Sequence, residues 1–151
     1  MICRAARIED VPALHAMLVD LARHEGGAVT ASVDALAQGG FGARPLYAAV
    51  LAEQAGATLG MAIYYPDFST HRGQSGVYVQ DLYVDRAARG AGIGRGLLAS
   101  VMRLQDWGAQ YLTLGVSPEN EGALAFYARC GFRARGYRFM ILDGAGLEAL
   151  P

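Results

Sequence analysis

RGAGIGRGLL, residues 89–98, sets four glycines against the start of an apolar run. A glycine inside a helix costs about 1 kcal/mol relative to alanine. That cost is rational where the backbone must approach a ligand closely, or take angles that a Cβ forbids. Upstream, Val77–Asp85 carries the β-branched and aromatic residues of a strand. Downstream, Ile93, Leu97, Val101 and Leu104 recur on one face of a helix that ends near Gly108. A strand, a glycine turn and a helix N-terminus together make an anion site. The first-turn N–H groups lack partners there, and the helix dipole is positive. Arg89 and Arg95 flank the turn and supply charge-assisted donors. The P-loop pattern GxxxxGK[ST] is absent. GxGxxG does not fit either: counted from Gly90 the third glycine falls at Arg95, and counted from Gly92 it falls at Leu97.

Outward from this unit, the pattern is mixed α/β. Met1–Arg7 reads as an edge strand. Asp10 ahead of Val11-Pro12 reads as an N-cap, and Leu14, Leu18 and Leu21 predict a helix over about 11–24. Residues 25–45 are glycine-rich, with one or two helical turns expected near Ser32–Gln38. Leu46–Ala52 and Thr58–Tyr65 read as strands joined by a hairpin turn at Gln54-Ala55-Gly56, and Asp67–Ser75 as a polar loop. Within Val77–Asp85 the apolar parity changes: Val77 and Val79 alternate, but Leu82 and Val84 fall on the opposite phase. A β-bulge shifts phase in that way; burial on both faces also erases alternation. Tyr111–Val116 is a further strand. Asn120 can cap a helix whose Ala123, Phe126, Tyr127 and Cys130 share a face, with Gly131 as its C′ residue. Gly136–Asp143 is expected to be the last strand.

The 151 residues, 53% of them apolar, with a net charge of −1, fit one domain spanning 1–151 that buries its own core. No basic excess points to nucleic acid. No apolar run is long enough to span a membrane, and the N-terminus lacks a signal-peptide core. The expectation is a cytoplasmic protein with neither nucleic-acid nor membrane partner. Cys3 and Cys130 lack metal-ligand spacing, so no metal is expected; they read as reduced thiols, with a single disulfide left open.

The form Arg89-x-x-Gly92-x-Gly94 resembles the coenzyme A pyrophosphate signature of the GNAT superfamily of N-acetyltransferases. Asn120 followed by Phe126-Tyr127 and Gly131-Phe132 is similar to that family's second motif, NxxxxxFYxxxGF. GGFGARPLY (39–47), AIYYPDFS (62–69) and YVQDLYV (78–84) resemble its diamine acetyltransferase branch, whose members act on spermidine, spermine or thialysine. The resemblance implies a GNAT fold: a central mixed, mostly antiparallel twisted sheet flanked by helices, splayed into a V between two middle strands. It implies acetyl-CoA as the acyl donor, with coenzyme A as product. Backbone groups of Leu82, Tyr83 and Val84 would pair with the pantetheine arm, and the Leu82 N–H would polarise the thioester carbonyl. Amides of Gly90, Ala91, Gly92, Ile93, Gly94 and Arg95, with Arg89 beside them, would take the pyrophosphate. Asn120 would bind the arm near sulfur, and Tyr127 corresponds to the general acid that protonates the leaving thiolate. On position alone core packing is the better explanation of Tyr127, and the Asn120 spacing turns the reading toward the acid; Asn120 also reads as a helix cap.

An amine nucleophile has a pKa of about 10 and must lose a proton before it attacks. The branch carries a glutamate where this chain has Gln80, which cannot act as a base but can orient water or hydrogen-bond the amine. Asp81 is adjacent, and adjacent strand residues face opposite ways unless a bulge re-aims one of them. His71 is a further basic group. His24-Glu25 occupies the branch's substrate-contacting position. Arg135 stands where polyamine enzymes carry a glutamate, and Ser69 replaces an aspartate. The charge balance predicts a smaller amine than a polycation, one with its own carboxylate such as thialysine. The resemblance also implies a homodimer. Two other readings remain: a non-catalytic acyl-CoA sensor, which Gln80 keeps open, and a peptide or protein N-acetyltransferase.

Overall fold

Ile2–Ala5 (β1), Ala48–Gln54 (β2), Ala57–Ser69 (β3), Gln74–Val84 (β4) and Leu112–Leu114 (β5) form one sheet in the order β1-β2-β3-β4-β5. The computed structural model describes all residues, 1–151. Neighbouring strands are antiparallel except β4 and β5, which are parallel. The helices are α1 (Val11–His24), α2 (Val33–Phe41), α3 (Ile93–Leu104), α4 (Glu121–Arg129) and α5 (Gly144–Glu148). The chain divides into two units, Met1–Leu114 and Gly115–Pro151.

The first unit is built on β2 and β3, which are covered on both faces. Leu14 and Met17 of α1 pack with Ala49, Leu51, Met61 and Ile63 on one face. The residues of opposite parity, Val50, Ala52 and Ala62, are fully buried too. The apolar stripe of α3 (Ile93, Leu97, Leu98 and Val101) is buried, and a Cβ at Gly60 would lie 3.3 Å from Leu97 Cδ1. Double burial explains why β2 and β3 read as continuous apolar runs.

Several boundaries differ from the sequence expectation. Asp10 does not cap α1 with its side chain. Its carboxylate is held instead by Arg4 at 2.7 and 2.9 Å and by the Arg7 N–H at 2.7 Å. Arg4 also grips Glu53 at 2.6 and 3.0 Å, tying β1 to β2 and to the start of α1. The Arg4 guanidinium keeps the Asp10 carboxyl below the usual carboxylate range. Asp67–Ser75 is mostly strand, because β3 and β4 keep pairing as far as Ser69 and Gln74. α3 stops at Leu104, where the Gln105 side chain accepts from the Trp107 and Ala109 N–H groups and turns the chain.

In the second unit α4 follows the local signals closely. The Asn120 Oδ1 accepts from the Ala123 N–H at 3.0 Å. Gly131 takes φ +90°, and the Phe132 N–H reaches the Tyr127 carbonyl at 3.0 Å, which closes the helix as a Schellman motif. The expected strand over 136–143 is absent: those residues form no ladder, and the sheet ends at β5. A strand is defined by its partner strand, and none pairs here; Met140 and Ile141 are 95% and 85% exposed.

Candidate functional site

The register between β3 and β4 shifts at one point. Ile63 pairs with Asp81 and Tyr64 with Val79, leaving Gln80 as the extra residue of a β-bulge. The shift re-aims the backbone. The Val77 N–H donates to the Tyr111 carbonyl at 2.9 Å, so before the bulge the odd-numbered residues face β5. The Asp85 N–H donates to the Leu59 carbonyl at 2.8 Å, so after it the odd-numbered residues face β3. By alternation Leu82 and Val84 turn their backbone groups away from β3. β5 pairs only with Val77–Val79, so no strand meets β4 on that side beyond the bulge. This is the opening of the V. Arg89 Nε donates to the Val84 carbonyl at 3.1 Å, one of the groups so directed.

The same bulge brings Gln80 and Asp81 to one cleft of about 290 Å³, although they are adjacent in a strand. Tyr65 lies beside them, its hydroxyl donating to Gln80 Oε1 at 3.2 Å and its ring stacked on Tyr78 at 5.1 Å between centroids. Leu18, Leu36, Leu46, Tyr47 and Ile63 form the apolar wall. Tyr47 donates its hydroxyl to the Leu36 carbonyl at 2.7 Å and stands edge-on to Phe41. Its ring lies so close to α2 that a Cβ at Gly40 would come within 2.5 Å of it, which explains the small residue there. Burial among these groups, and then the charge of Glu25, push the Asp81 carboxyl up to about 6.

The glycine turn takes the form the sequence implied. Gly90 and Gly92 have φ of +86° and +77°, and a Cβ at either would meet nothing within 4 Å. Gly92 is the left-handed N-cap of α3, and no side chain caps that end. Gly90, Ala91 and Gly92 are exposed ahead of the buried Ile93 and Gly94, with Arg89 and Arg95 exposed beside them.

The structure thus brings together Gln80 and Asp81, with Glu25 near enough to act on the latter's charge. His24 and Glu25 end α1 and are exposed, and neither lines the cleft. His71 sits in the turn after β3, also outside the lining. Tyr127 and Asn120 belong to the second unit. There Tyr127 is half-buried, edge-on to Phe126 at 5.2 Å and to Phe132 at 5.4 Å, and Asn120 is the cap of α4. Sequence reasoning missed the apolar wall and the Tyr65–Gln80 bond. Tyr65 lay inside AIYYPDFS, one strand away from the phase change between Val79 and Leu82, and only the pairing of β3 with β4 brings the two together.

A sequence profile described as the Acetyltransferase (GNAT) family matches residues 30–132. The chain is 29% identical to a thialysine N-epsilon-acetyltransferase of Bos taurus over 97% of its own length and 95% of the relative's. It is 31% identical to the Mus musculus protein of the same name over 85% and 81%. Among solved structures, an integron cassette protein from the mobile metagenome of V. cholerae superposes with a TM-score of 0.79 at 24% identity, over 97% of this chain and 94% of that one.

Proposed function

The chain belongs to the GNAT acetyltransferase family, and on that footing we propose that it transfers an acetyl group from acetyl-CoA to the primary amine of a small molecule by direct attack. The observation that carries this reading is the bulge at Gln80, which serves both substrates. It turns the Leu82 and Val84 backbone toward the open side of β4, where an extended pantetheine arm can add as a strand. It also aims Asp81 into the cleft beside the family's usual position for a base. Acetyl-CoA supplies the electrophilic thioester carbonyl. Amides from Gly90 to Arg95, with the two arginines, fit its diphosphate: the turn is open, uncapped and electropositive. The Leu82 N–H polarises the carbonyl, and Tyr83 contributes backbone only.

Asp81 removes the amine proton. A carboxyl held near 6 is ionised at neutral pH yet more basic than a solvated one, the compromise a general base requires. Gln80, fixed by Tyr65, orients the amine or the water that relays its proton. Glu25, whose charge is felt at Asp81, attracts the ammonium, and His24 beside it contacts the acceptor. Tyr127 protonates the departing thiolate, and the Asn120 amide binds the arm near sulfur while its oxygen caps α4. Residues 1–151 act as one functional domain in this reading.

The relatives named for thialysine support a small-molecule acceptor over a peptide. A cytoplasmic setting rests on the two free cysteines. A homodimer rests on the branch resemblance and on the exposed apolar residues 140–141. The test is release of free thiol from acetyl-CoA in the presence of primary amines, with calorimetry of acetyl-CoA binding alongside. Amine-dependent thiol release supports the enzyme; binding without release from any amine identifies a sensor instead.

A further inference from the structure

Resting on the transferase reading, we infer that the acceptor is a monoamine with a hydrocarbon body, an alkylamine or arylalkylamine, and that polyamines and thialysine-like amino acids are poor substrates. The cleft of about 290 Å³ lies at the lower end of the range for small-molecule sites. Its lining holds a single carboxylate, Asp81, and no arginine, lysine or histidine. One anion at one end suits one ammonium. The tyrosines have no proton left for an acceptor's carboxylate: Tyr47 donates its hydroxyl to the Leu36 carbonyl and Tyr65 to Gln80 Oε1.

A second ammonium further along the acceptor would give up part of its water against the half-buried Leu18 and Leu36 without gaining a partner, and only beyond them, at the exposed Leu46, would it regain solvent. Glu25 is the other carboxylate felt at Asp81, but it is exposed and outside the lining. It strengthens attraction at the mouth without neutralising a buried cation. The same negative potential repels the carboxylate of an amino acid, and no cation in the wall offsets that repulsion. The expectation from sequence charge, an acceptor with its own carboxylate, is therefore at odds with the cleft.

The test measures kcat/KM with acetyl-CoA for hexylamine and 1,5-diaminopentane, which differ only in a terminal methyl or ammonium group, and for lysine, which adds a carboxylate. An alkylamine series from ethylamine to hexylamine accompanies them. Hexylamine is expected to exceed the diamine and lysine at least about tenfold, with a gain of about fourfold for each added methylene. Leu46 is 77% exposed, so Leu46→Glu tolerates the charge, and it should narrow or reverse the preference for hexylamine over the diamine. Thiol release with the diamine or lysine at least as efficient as hexylamine overturns the inference and leaves the transferase intact. So does a flat alkylamine series, or an unchanged ratio in Leu46→Glu. Absence of thiol release with every amine sinks the transferase reading along with it.

Discussion

Residues 1–114 and 115–151 obey the same local rules with different results. In the first unit the apolar stripes of α1 and α3 meet sheet faces, and every buried core residue lies there. In the second unit α4 is capped by Asn120 and closed by Gly131, yet no residue of that unit is buried. Capping is satisfied within a few residues, so at α4 it succeeds without any distant partner. Burial and strand pairing need a distant partner, and 136–143 pairs with no strand. The core and the cleft at Gln80 and Asp81 thus belong to 1–114, while the proposed acid and an unburied apolar surface belong to 115–151.

The largest effect should come from the first unit. Asp81→Asn keeps size and hydrogen bonding but removes the base, and kcat should fall by about a thousandfold. The same change should stabilise the protein. The Asp81 carboxyl titrates at about 6 in the fold against 3.8 in the free chain, so folding opposes its ionisation. Wild-type stability is therefore full below about pH 4 and declines as pH rises to about 6. The asparagine variant avoids that decline and should gain up to about 3 kcal/mol at pH 7 in urea titrations, and nothing at pH 3. For the wild type, kcat/KM should rise with pH through an apparent pKa of about 6 before the amine's own ionisation contributes. If activity and stability both stay unchanged in the variant, Asp81 is neither base nor buried charge.

Next in size is the glycine turn. Gly92→Glu adds a side chain at φ +77° and a negative charge at the start of α3, where acetyl-CoA's diphosphate is assigned. Calorimetry should show acetyl-CoA affinity reduced by about a hundredfold. Unaltered affinity would remove the diphosphate from this turn.

Tyr127→Phe carries the comparison into the second unit. A thiol has a pKa of about 8.5, so its anion leaves readily near neutrality and the acid is asked for less than the base. A fall in kcat of about thirtyfold is expected, with acetyl-CoA affinity retained. An unchanged kcat would make the residue, ringed by Phe126 and Phe132, an element of packing alone.

What the sequence revealed follows the same division. The parity change between Val79 and Leu82 pointed to the bulge, because a one-residue slip leaves a trace in any alternating pattern. The positive-φ glycines announced the turn for the same local reason. The wall of the cleft left no such trace. Leu18, Leu36 and Leu46 lie on α1, on α2 and ahead of β2, and nothing in their spacing shows that three separate elements converge on one space. Gly136–Asp143 misled in the opposite sense: its composition is that of a strand, but pairing is a property of two segments. Asp10 misled because Arg4, six residues away in sequence, competes for the carboxylate that a cap would use.

The smallest expected effect on folding sharpens the comparison most. Met140 and Ile141 are 95% and 85% exposed, so the monomer gains little from them, and Met140→Asp should change stability by no more than about 0.5 kcal/mol. If these side chains cover a second copy, the same substitution introduces an unpaired charge into an apolar contact and separates the subunits. Light scattering on a sizing column should then read about twice 16.0 kDa for the wild type and 16.0 kDa for the variant, with unfolding midpoints in dilute solution nearly the same. A wild type that is monomeric at every concentration would leave this surface uncovered and end the dimer proposal, whereas a variant that unfolds outright would mean that 136–143 stabilises its own chain.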